Sequence, residues 1–522
     1  MPIEKKKKTT LLVILDGFGL TNFKDIGNAV TPKTAPSIFK YIKKYPSTTL
    51  KASGVDVGLR IGQVGNSEAG HFNIGAGRVV EQDLEIISRA IEDGTFLKNL
   101  AFKQALFHAK KYNSTVHIFG ILTDGQSAHA CPEHLYKLLE FFRKEKHKKI
   151  AIHLFTDGRD APPNSAIEYL DDLKQHLKNG EKVASITGRF YAMDRNKIWE
   201  RTEKAYNLIV SAEGDFVATS PENAIAGAYS RGETDEYIRP TIIVDKKGIP
   251  IAKVQDNDVV YFYNARSDRA RQLTKAFVQA DFQKQNKGAF RRKNKPKNIR
   301  FVAMTDFGPD LEGVLTAFPS PDIEMPLAKA IGEEYKQLYI SETEKYAHIT
   351  YFINGGHNTP VNGEDREMVK SGKYYSYAKK PQMHSKEMTN IILDYIKKDR
   401  YNFICVNYPN ADMIAHTGNL KAAKKSVNYL DKQIKRLVKS VLKKNGQLLI
   451  IADHGNAEEM IYKKTKGVRT EHTANPVPCI FVSKGLKGIK LRNGGRLADV
   501  APTLLKMMNI KKPKDMTGKS LF

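Results

Sequence analysis

Six acidic and imidazole side chains stand at or near the ends of short apolar runs of the kind that form buried strands. They are spread over the chain: Asp16, Asp412, His416, Asp453, His454 and His472. Asp412 and His416 are four residues apart and share one face if that segment is helical. Carboxylate and imidazole ligands without thiolates suit Mn²⁺, Zn²⁺, Fe²⁺ or Co²⁺ better than Ca²⁺ or a structural zinc ion. If the fold brings these residues together, we expect a divalent metal site.

A serine flanked by glycines supplies a candidate nucleophile. Ser67 lies between Gly65 and Gly70, where the absence of side chains lets the backbone approach a ligand closely. A serine hydroxyl is a weak nucleophile at neutral pH, and a metal ion can lower its pKa. Without a neighbouring metal the segment would be an ordinary glycine-rich turn, so this hypothesis depends on the metal site.

A second set of residues, in the middle of the chain, is rich in arginine. Its members lie near the ends of further apolar runs: Arg159, Asp160, Arg189, Arg195, Arg266 and Arg269. Guanidinium groups bind carboxylates and phosphates in a bidentate manner, which predicts a pocket for a small polyanion. The alternative is ion pairing with neighbouring aspartates. Lys345 could bind the same anion, although its spacing alone is more typical of a solvated lysine.

The elements that must position these residues alternate along the chain. Apolar runs predict strands at 11–15, 116–122, 150–155, 183–186, 301–304, 403–406 and 448–452. Amphipathic patterns between them, such as Met388 to Ile396 and Val427 to Val441, predict helices. The alternation predicts an α/β fold in which helices cover mainly parallel sheets, with ligands beyond the carboxyl ends of the strands. One candidate site comes from the chain ends and one from the middle, which indicates a discontinuous domain interrupted by an inserted one.

Composition excludes several classes of protein. A chain of 522 residues is too long for one core, and a hydrophobic fraction of 41% argues against disorder. No run approaches the roughly 18 apolar residues of a membrane span. The 3 cysteines form neither a disulfide framework nor a CxxC zinc site. We therefore expect a cytoplasmic protein with no membrane partner.

The net charge needs an explanation, because 84 basic and 57 acidic residues leave +27. A nucleic-acid partner is one interpretation, and a lysine-rich surface around a small anionic substrate is the other. The lysines are scattered over predicted helix faces, and the sequence has no aromatic-interleaved RNA motif and no helix-turn-helix pattern. We expect no nucleic-acid partner.

Seven motifs, taken together and in order, carry a family resemblance. They lie at 11–19, 65–78, 156–163, 188–195, 343–348, 452–458 and 472–478. The sequence resembles the cofactor-independent (2,3-bisphosphoglycerate-independent) phosphoglycerate mutases of the alkaline phosphatase superfamily. The similarity spans nearly the whole chain, and this number of long motifs in one order argues against a chance match.

The resemblance implies a domain organisation and a metal content. A phosphatase-like metal-binding domain would comprise residues 1–80 and 318–522, and an inserted phosphotransferase domain residues 84–313, with hinges near 81–83 and 314–317. Two divalent ions are implied, with Mn²⁺ first and Mg²⁺, Co²⁺ or Zn²⁺ as alternatives. Their implied ligands are Asp412, His416 and His472 for one ion, and Asp16, Ser67, Asp453 and His454 for the other.

It also implies an isomerase that interconverts 3-phosphoglycerate and 2-phosphoglycerate in glycolysis and gluconeogenesis, through a phosphoserine at Ser67. Asp160 would act as base or acid, and Lys345 would stabilise the transferring charge. Arginines would hold the substrate: Arg266 and Arg269 at the phosphate, and Arg159, Arg189 and Arg195 at the glycerate. The resemblance further implies a small molecule, phosphoglycerate, as the binding partner and a monomer as the oligomeric state.

One substrate-binding histidine departs from the family pattern. The family has Asp-Gly-Gly-Val-His-Ser where this chain has 124–129. Counting forward from Asp124 places Ala128 at the histidine position, whereas counting back from His134 places His129 there. The second count implies a one-residue insertion, and we assign the role to His129.

Two other functions stay open at this point. A metal-dependent phosphomonoesterase or phosphopentomutase would keep the metal ligands but would not need the arginines of the inserted domain. A nucleic-acid-binding protein would use the net charge and would not turn over phosphoglycerate.

Overall fold

The chain folds into two compact units in a computed structural model that describes residues 8–522 except 23, 25, 126, 321, 373, 375 and 487. Unit 1 comprises residues 1–82 and 321–522, and unit 2 comprises residues 83–320. Each unit has its own buried apolar core. Residues 314–316, within the segment expected to be the second hinge, form a strand of unit 2. Hinge motion at either segment stays a prediction.

The secondary structure alternates between strands and helices. The strands are β1 (Thr10–Leu15), β2 (Ser47–Lys51), β3 (Val116–Leu122), β4 (Ile150–Thr156), β5 (Lys182–Gly188), β6 (Phe216–Ala218), β7 (Thr241–Ile243), β8 (Val259–Phe262), β9 (Arg300–Ala303), β10 (Val314–Thr316), β11 (Gln337–Glu342), β12 (Asp365–Val369), β13 (Phe403–Tyr408), β14 (Gln447–Ile451), β15 (Val477–Val482) and β16 (Gly495–Arg496). The helices are α1 (Pro36–Lys44), α2 (Ser67–Ala76), α3 (Asp83–Glu92), α4 (Leu100–Tyr112), α5 (Pro132–Lys144), α6 (Ala166–His176), α7 (Arg189–Ala192), α8 (Trp199–Ser211), α9 (Pro221–Ser230), α10 (Ser267–Val278), α11 (Phe282–Gln285), α12 (Leu327–Ile331), α13 (Ser385–Lys397), α14 (Asn410–Ala415), α15 (Leu420–Lys443) and α16 (Val500–Met507).

The described part of unit 1 is built on an eight-stranded sheet with the order β12-β11-β13-β1-β14-β15-β2-β16. Strand β1 pairs in parallel with both β13 and β14, and all six of its residues are buried. This near-continuous apolar run is typical of a parallel strand covered on both faces. Strand β15 is antiparallel to β14, so it starts at the edge where β1 and β14 end. Loops from both chain ends therefore meet at that edge.

The described part of unit 2 also forms an eight-stranded sheet, with the order β10-β9-β8-β3-β4-β5-β7-β6. Its strands are parallel apart from the β5–β7 pair. The carboxyl ends of β3, β4, β5 and β8 lie side by side and carry the arginine-rich segments. The predicted α/β class with mainly parallel sheets is confirmed in both units.

Helices cover the sheets with the faces that the sequence pattern predicted. Met388, Ile392 and Ile396 of α13 are buried, as are Val427 and Leu430 of α15. Amphipathic helices of this kind gain most of their stability from packing the apolar stripe against a sheet. Over the described residues, no helix is both long enough and apolar enough to cross a membrane.

Candidate active site

The hydroxyl of Ser67 lies at the start of α2 in unit 1. Asn66 caps this helix, because its Oδ1 accepts a hydrogen bond from the backbone N–H of Ala69 at 2.8 Å. Lys345 Nζ donates to Ser67 Oγ at 2.6 Å, and His454 Nε2 lies 2.9 Å from the same oxygen. Ser67 Oγ also lies 3.4 Å from Asp16 Oδ1. The candidate nucleophile is therefore held between a cation, an imidazole and a carboxylate.

Lys345 bridges two of the three buried carboxylates around Ser67. Its Nζ lies 2.7 Å from Asp16 Oδ1 and 2.7 Å from Asp412 Oδ2. Burial alone would lower the pKa of Lys345, but the two carboxylates raise it above its ordinary value. Burial and the nearby Asp453 raise the pKa of Asp16. Burial opposes ionisation of Asp412, yet Lys345 and His416 hold its pKa well below the usual range.

The imidazoles of His416 and His472 face each other at the same edge. Their Nε2 atoms are 3.1 Å apart, and each lies close to Asp412 Oδ1, at 3.2 Å and 3.3 Å. Each Nδ1 donates to a backbone carbonyl, of Thr470 at 2.8 Å and of Gly65 at 2.9 Å. In the neutral rings these bonds leave lone pairs on the two Nε2 atoms, which would repel at this distance. Either a proton on His416, whose pKa Asp412 raises against the effect of burial, or a shared cation relieves that repulsion.

These side chains fit divalent cations. Two groups have ligand atoms within 4.8 Å of one another: Asp412 with His454 and His472, and Asp16 with Asp453 and His454. Asp453 is fully buried, and among the described residues its Oδ2 has no hydrogen-bond partner. Lys345 pairs with two of the three buried carboxylates, so the three carboxylates outnumber the one lysine and burial makes the excess negative charge costly. A cation supplies the missing compensation.

The centre of the unit 2 cluster is Arg189, at the end of β5. Its Nη1 donates to Asp157 Oδ1 at 2.6 Å and to Asp160 Oδ2 at 2.7 Å. Asp160 Oδ2 also accepts from Ser127 Oγ at 3.1 Å and lies 3.7 Å from His129 Nε2. Burial, Arg189 and Arg266 lower the pKa of His129 to about 3. The histidine is therefore neutral beside an ionised Asp160, whose pKa falls because Arg189 outweighs the effect of burial.

The other arginines surround this centre. Arg195 and Arg266 both pair with Asp268, the latter from Nε to Oδ1 at 2.9 Å. Arg269 donates to the carbonyl of Met193 at 3.2 Å, and burial together with the nearby guanidinium groups lowers its pKa to about 10. Arg159 is more exposed and lies 3.5 Å from Glu236. Guanidinium groups this close to one another favour an anionic ligand.

The predicted site residues thus fall into two clusters, one in each unit. The cluster in unit 1 contains Asp16, Ser67, Lys345, Asp412, His416, Asp453, His454 and His472. The cluster in unit 2 lies at the equivalent strand ends and contains His129, Arg159, Asp160, Arg189, Arg195, Arg266 and Arg269. For the substrate-binding histidine, counting back from His134 gives His129, which is buried and faces Asp160. Counting forward from Asp124 gives Ala128, which is exposed. The functional role of each residue stays a prediction.

Sequence analysis missed three polar residues of the unit 1 cluster. Asn407 Nδ2 donates to Asp16 Oδ2 at 2.7 Å and lies 2.9 Å from His71 Nε2. Asn456 Nδ2 donates to Asp412 Oδ1 at 2.8 Å. The signal that could have found them is position, because Asn407 lies near the end of an apolar run and His71 lies four residues after Ser67.

Comparison with known proteins places the chain in a family. Residues 87–309 match the model of the BPG-independent PGAM N-terminus. The 2,3-bisphosphoglycerate-independent phosphoglycerate mutase of Clostridium kluyveri is 44% identical over 519 residues, which cover 99% of each chain. The chain belongs to this family. The mutase of Clostridium novyi is likewise 45% identical over 519 residues, again 99% of each chain.

Among solved structures, the phosphoglycerate mutase of Leishmania mexicana, determined at low cobalt concentration, shares the fold over 100% of this chain and 98% of its own. The TM-score is 0.80 at 29% sequence identity. The predicted family is confirmed, and with it the prediction of an isomerase of the phosphoglycerate mutase type.

Proposed function

We propose that the protein interconverts 3-phosphoglycerate and 2-phosphoglycerate by passing the phosphoryl group through Ser67. The observation that carries the proposal is the environment of Ser67 Oγ, which lies 2.6 Å from Lys345 Nζ and 2.9 Å from His454 Nε2. An ammonium donor at this distance favours the alkoxide over the hydroxyl, which makes the oxygen a better nucleophile. Two full-length relatives named as mutases that need no 2,3-bisphosphoglycerate support the choice of substrate.

The proposed reaction has two transfers. Ser67 Oγ forms a bond to phosphorus while the bond from phosphorus to the 3-oxygen of glycerate breaks, leaving phosphoserine and glycerate. The 2-oxygen of glycerate then forms a bond to the same phosphorus, and the Ser67 ester bond breaks. In the first transfer the proton of Ser67 passes to the 3-oxygen of glycerate. In the second, the ionised Asp160 accepts the proton of the 2-hydroxyl, and that proton then restores the Ser67 hydroxyl. Lys345 offsets negative charge on the oxygen that leaves or attacks.

Two divalent ions are part of this proposal, with Mn²⁺ preferred and Mg²⁺, Co²⁺ or Zn²⁺ as alternatives. Asp412, His416 and His472 would hold one ion, and Asp16, Ser67, Asp453 and His454 the other. Bound there, the metal supplies Lewis-acid stabilisation of the serine alkoxide and of the phosphoryl oxygens. The buried carboxylates and the facing Nε2 atoms of His416 and His472 support this assignment.

The unit 2 cluster binds the rest of the substrate in this proposal. Arg266 and Arg269 hold phosphate, while Arg159, Arg189 and Arg195 hold the carboxylate and hydroxyl groups of glycerate. A neutral His129 accepts or donates one hydrogen bond without adding charge. We further propose that the protein is a monomeric enzyme of glycolysis and gluconeogenesis in the cytoplasm, with neither nucleic-acid nor membrane partners.

The test is an assay of metal-stripped protein with 3-phosphoglycerate, without 2,3-bisphosphoglycerate, with and without Mn²⁺. Products are separated so that 2-phosphoglycerate is distinguished from free phosphate. We expect 2-phosphoglycerate only when metal is added. Free phosphate alone would indicate a hydrolase of the same superfamily, and no turnover with any divalent metal would overturn the proposal.

A further inference from the structure

A fully buried carboxylate that the proposed reaction does not use lies behind the unit 1 cluster. Glu458 follows His454 by four residues, and its side chain is 0% exposed. Its Oε2 accepts from the backbone N–H of Gly19 at 3.0 Å and of Asn456 at 2.8 Å. Its Oε1 accepts from Thr473 Oγ1 and from Asn475 Nδ2 at 2.9 Å. Burying such a charge is costly unless its hydrogen bonds are satisfied, as they are here.

The four donors belong to two loops, β1–α1 and β14–β15, which carry most of the proposed metal ligands. Gly19 lies three residues after Asp16, and Asn456 lies two residues after His454. Thr473 directly follows His472. A single carboxylate group therefore ties together loops that are separated by up to several hundred residues of sequence. Glu458 contacts them mainly through backbone and hydroxyl groups, at positions next to the ligands.

The backbone is shaped to admit this carboxylate. A Cβ atom on Gly19 would overlap the carboxyl group of Glu458, and one on Gly455 would overlap both Thr473 Oγ1 and Glu458 Oε1. Both glycines therefore permit a close approach that another residue would prevent. The loops thus converge on the side chain of Glu458 from two directions.

We propose that Glu458 is a positioning residue for metal binding, which sets the relative placement of Asp16, Asp453, His454 and His472. The inference rests on the proposed metal site. Over the residues that the structure describes, its hydrogen bonds go to none of the ligand side chains, so Glu458 acts through the loops. Groups behind a metal site that orient its ligands typically change metal affinity by about 10- to 100-fold when they are replaced.

The decisive variant is Glu458→Gln, which keeps the size of the side chain but turns one acceptor into a donor. Whichever way the amide points, an NH₂ group then faces two N–H or O–H donors. Asp431→Asn is the matched control, because Asp431 is also a buried carboxylate of unit 1 that accepts two backbone N–H groups, of Ser37 at 3.1 Å and of Ile38 at 2.8 Å. It lies on α15, outside these two loops.

The measurement is Mn²⁺ affinity of the full-length protein by electron paramagnetic resonance, together with circular dichroism of the metal-free form. We expect Glu458→Gln to weaken Mn²⁺ binding by about 10- to 100-fold and to recover activity as Mn²⁺ is raised. The KM for 3-phosphoglycerate at saturating Mn²⁺ stays within about twofold. Asp431→Asn lowers thermal stability without changing Mn²⁺ affinity, which separates positioning from a merely structural role.

Thr473→Val provides a second variant in case Glu458→Gln does not fold. It removes a single donor to Glu458 at nearly constant volume, and we expect a smaller loss of Mn²⁺ affinity in the same direction. Mn²⁺ affinity equal to wild type in a folded Glu458→Gln protein, or in Thr473→Val if the first variant does not fold, overturns the inference. A wild-type protein that binds no Mn²⁺ overturns the proposed metal site itself, so the two failures are distinguishable.

Discussion

Ser67 Oγ has neighbours that act on it in opposite ways. Lys345 Nζ donates to the oxygen, while His454 Nε2 can accept a hydrogen bond from its hydroxyl, because Nδ1 of the same ring lies 3.2 Å from the carbonyl of Gly455. Burial and His472 lower the pKa of His454 to about 3, which keeps that nitrogen unprotonated. This environment is specific to one oxygen atom, so its loss should be felt in catalysis far more than in folding.

Replacing Ser67 by alanine tests whether the hydroxyl matters more for catalysis than for folding. We expect Ser67→Ala to lower mutase activity to below about 1% of wild type, because no other group takes the phosphoryl group. The thermal midpoint should change little, since one small hydroxyl is removed. Ser230→Ala is the control, because in the described part of the chain that hydroxyl donates to the carbonyl of Ala226 in its own helix and to no other group. Retention of more than a few per cent activity in Ser67→Ala would rule out the nucleophile.

His129 provides a test of the unit 2 cluster through pH. Burial, Arg189 and Arg266 lower its pKa to about 3, against an ordinary value of 6.5. Between about pH 6.5 and pH 3 the histidine is protonated in the unfolded chain but not in the folded protein. Its contribution to the free energy of unfolding is therefore lost as pH falls from about 6.5 towards 3. We expect the imidazole NMR signal of His129, assigned by its absence in His129→Gln, to stay unchanged between pH 8 and pH 5. A midpoint near 6.5 would contradict the burial of this histidine against the arginines.

At the scale of elements, helix α2 places Ser67 by close contact with the loop after β14. A Cβ atom on Gly70 would lie 2.7 Å from the carbonyl oxygen of Asp453 and 3.0 Å from its Cβ. Glycine in a helix interior costs about 1 kcal/mol relative to alanine, so its presence here has a packing reason. The helix lies against the metal-ligand loop because no side chain separates them.

Gly70→Ala should therefore behave unlike an ordinary glycine-to-alanine change in a helix. We expect it to lower activity by at least about tenfold and to lower the thermal midpoint, because α2 must move away from Asp453. Gly227→Ala in α9 is the matched control, since its new Cβ would meet only the end of Arg231, at 3.3 Å. That change should stabilise the protein by up to about 1 kcal/mol with activity intact. Equal behaviour of the two variants in thermal unfolding and in the mutase assay would contradict the packing argument.

The central parallel strands could be predicted from sequence, and the reason is physical. Strands β1, β3 and β13 are buried on both faces, so their apolar runs are continuous and their limits agree with prediction within a few residues. Strands β2 and β12 are half exposed and carry little apolar signal, so they were missed. Short or exposed strands are defined by their partners, which a local pattern does not contain.

The residue types of the candidate site could be predicted from the sequence, but which of these residues lie close together could be predicted only in part. Mixed aspartates and histidines at strand ends pointed to metal ligands. The sequence does not show that β1 lies between two strands that follow it by about 390 and 440 residues, which is what brings Asp16 to Asp412 and Asp453. Glu458 was overlooked for a related reason, because its partner Gly19 lies 439 residues away and two others, Thr473 and Asn475, lie at the far end of its own loop.

At the scale of the whole molecule, the two units differ in how the chain builds them. Unit 2 is one continuous segment with its own core, and its two ends meet where Ser320 Oγ donates to Asp83 Oδ1 at 2.8 Å. Unit 1 needs both chain ends, since β1 completes a sheet whose other central strands come from the later part of the chain. The two units should therefore differ in their ability to fold alone.

Fragments test this difference. We expect residues 83–320, expressed alone, to give a helix-and-strand circular dichroism spectrum and a cooperative urea transition, because all of their sheet partners are present. Residues 321–522 alone lack β1 and β2 and should show no cooperative transition. Cooperative unfolding of residues 321–522, or its absence in residues 83–320, would contradict this division of the chain.

The central position of β1 also sets an order of events during synthesis. Ribosomes add about 5–20 residues per second, so on the order of 20–80 seconds pass between the synthesis of β1 and that of its partner β13. During that time the segment Leu11–Leu15 is a bare apolar strand with both edges unpaired, the kind of segment that pairs with other chains. Unit 2 is translated completely within the same interval. In the cell, the yield of this enzyme should therefore depend on how well nascent-chain chaperones shield its first strand.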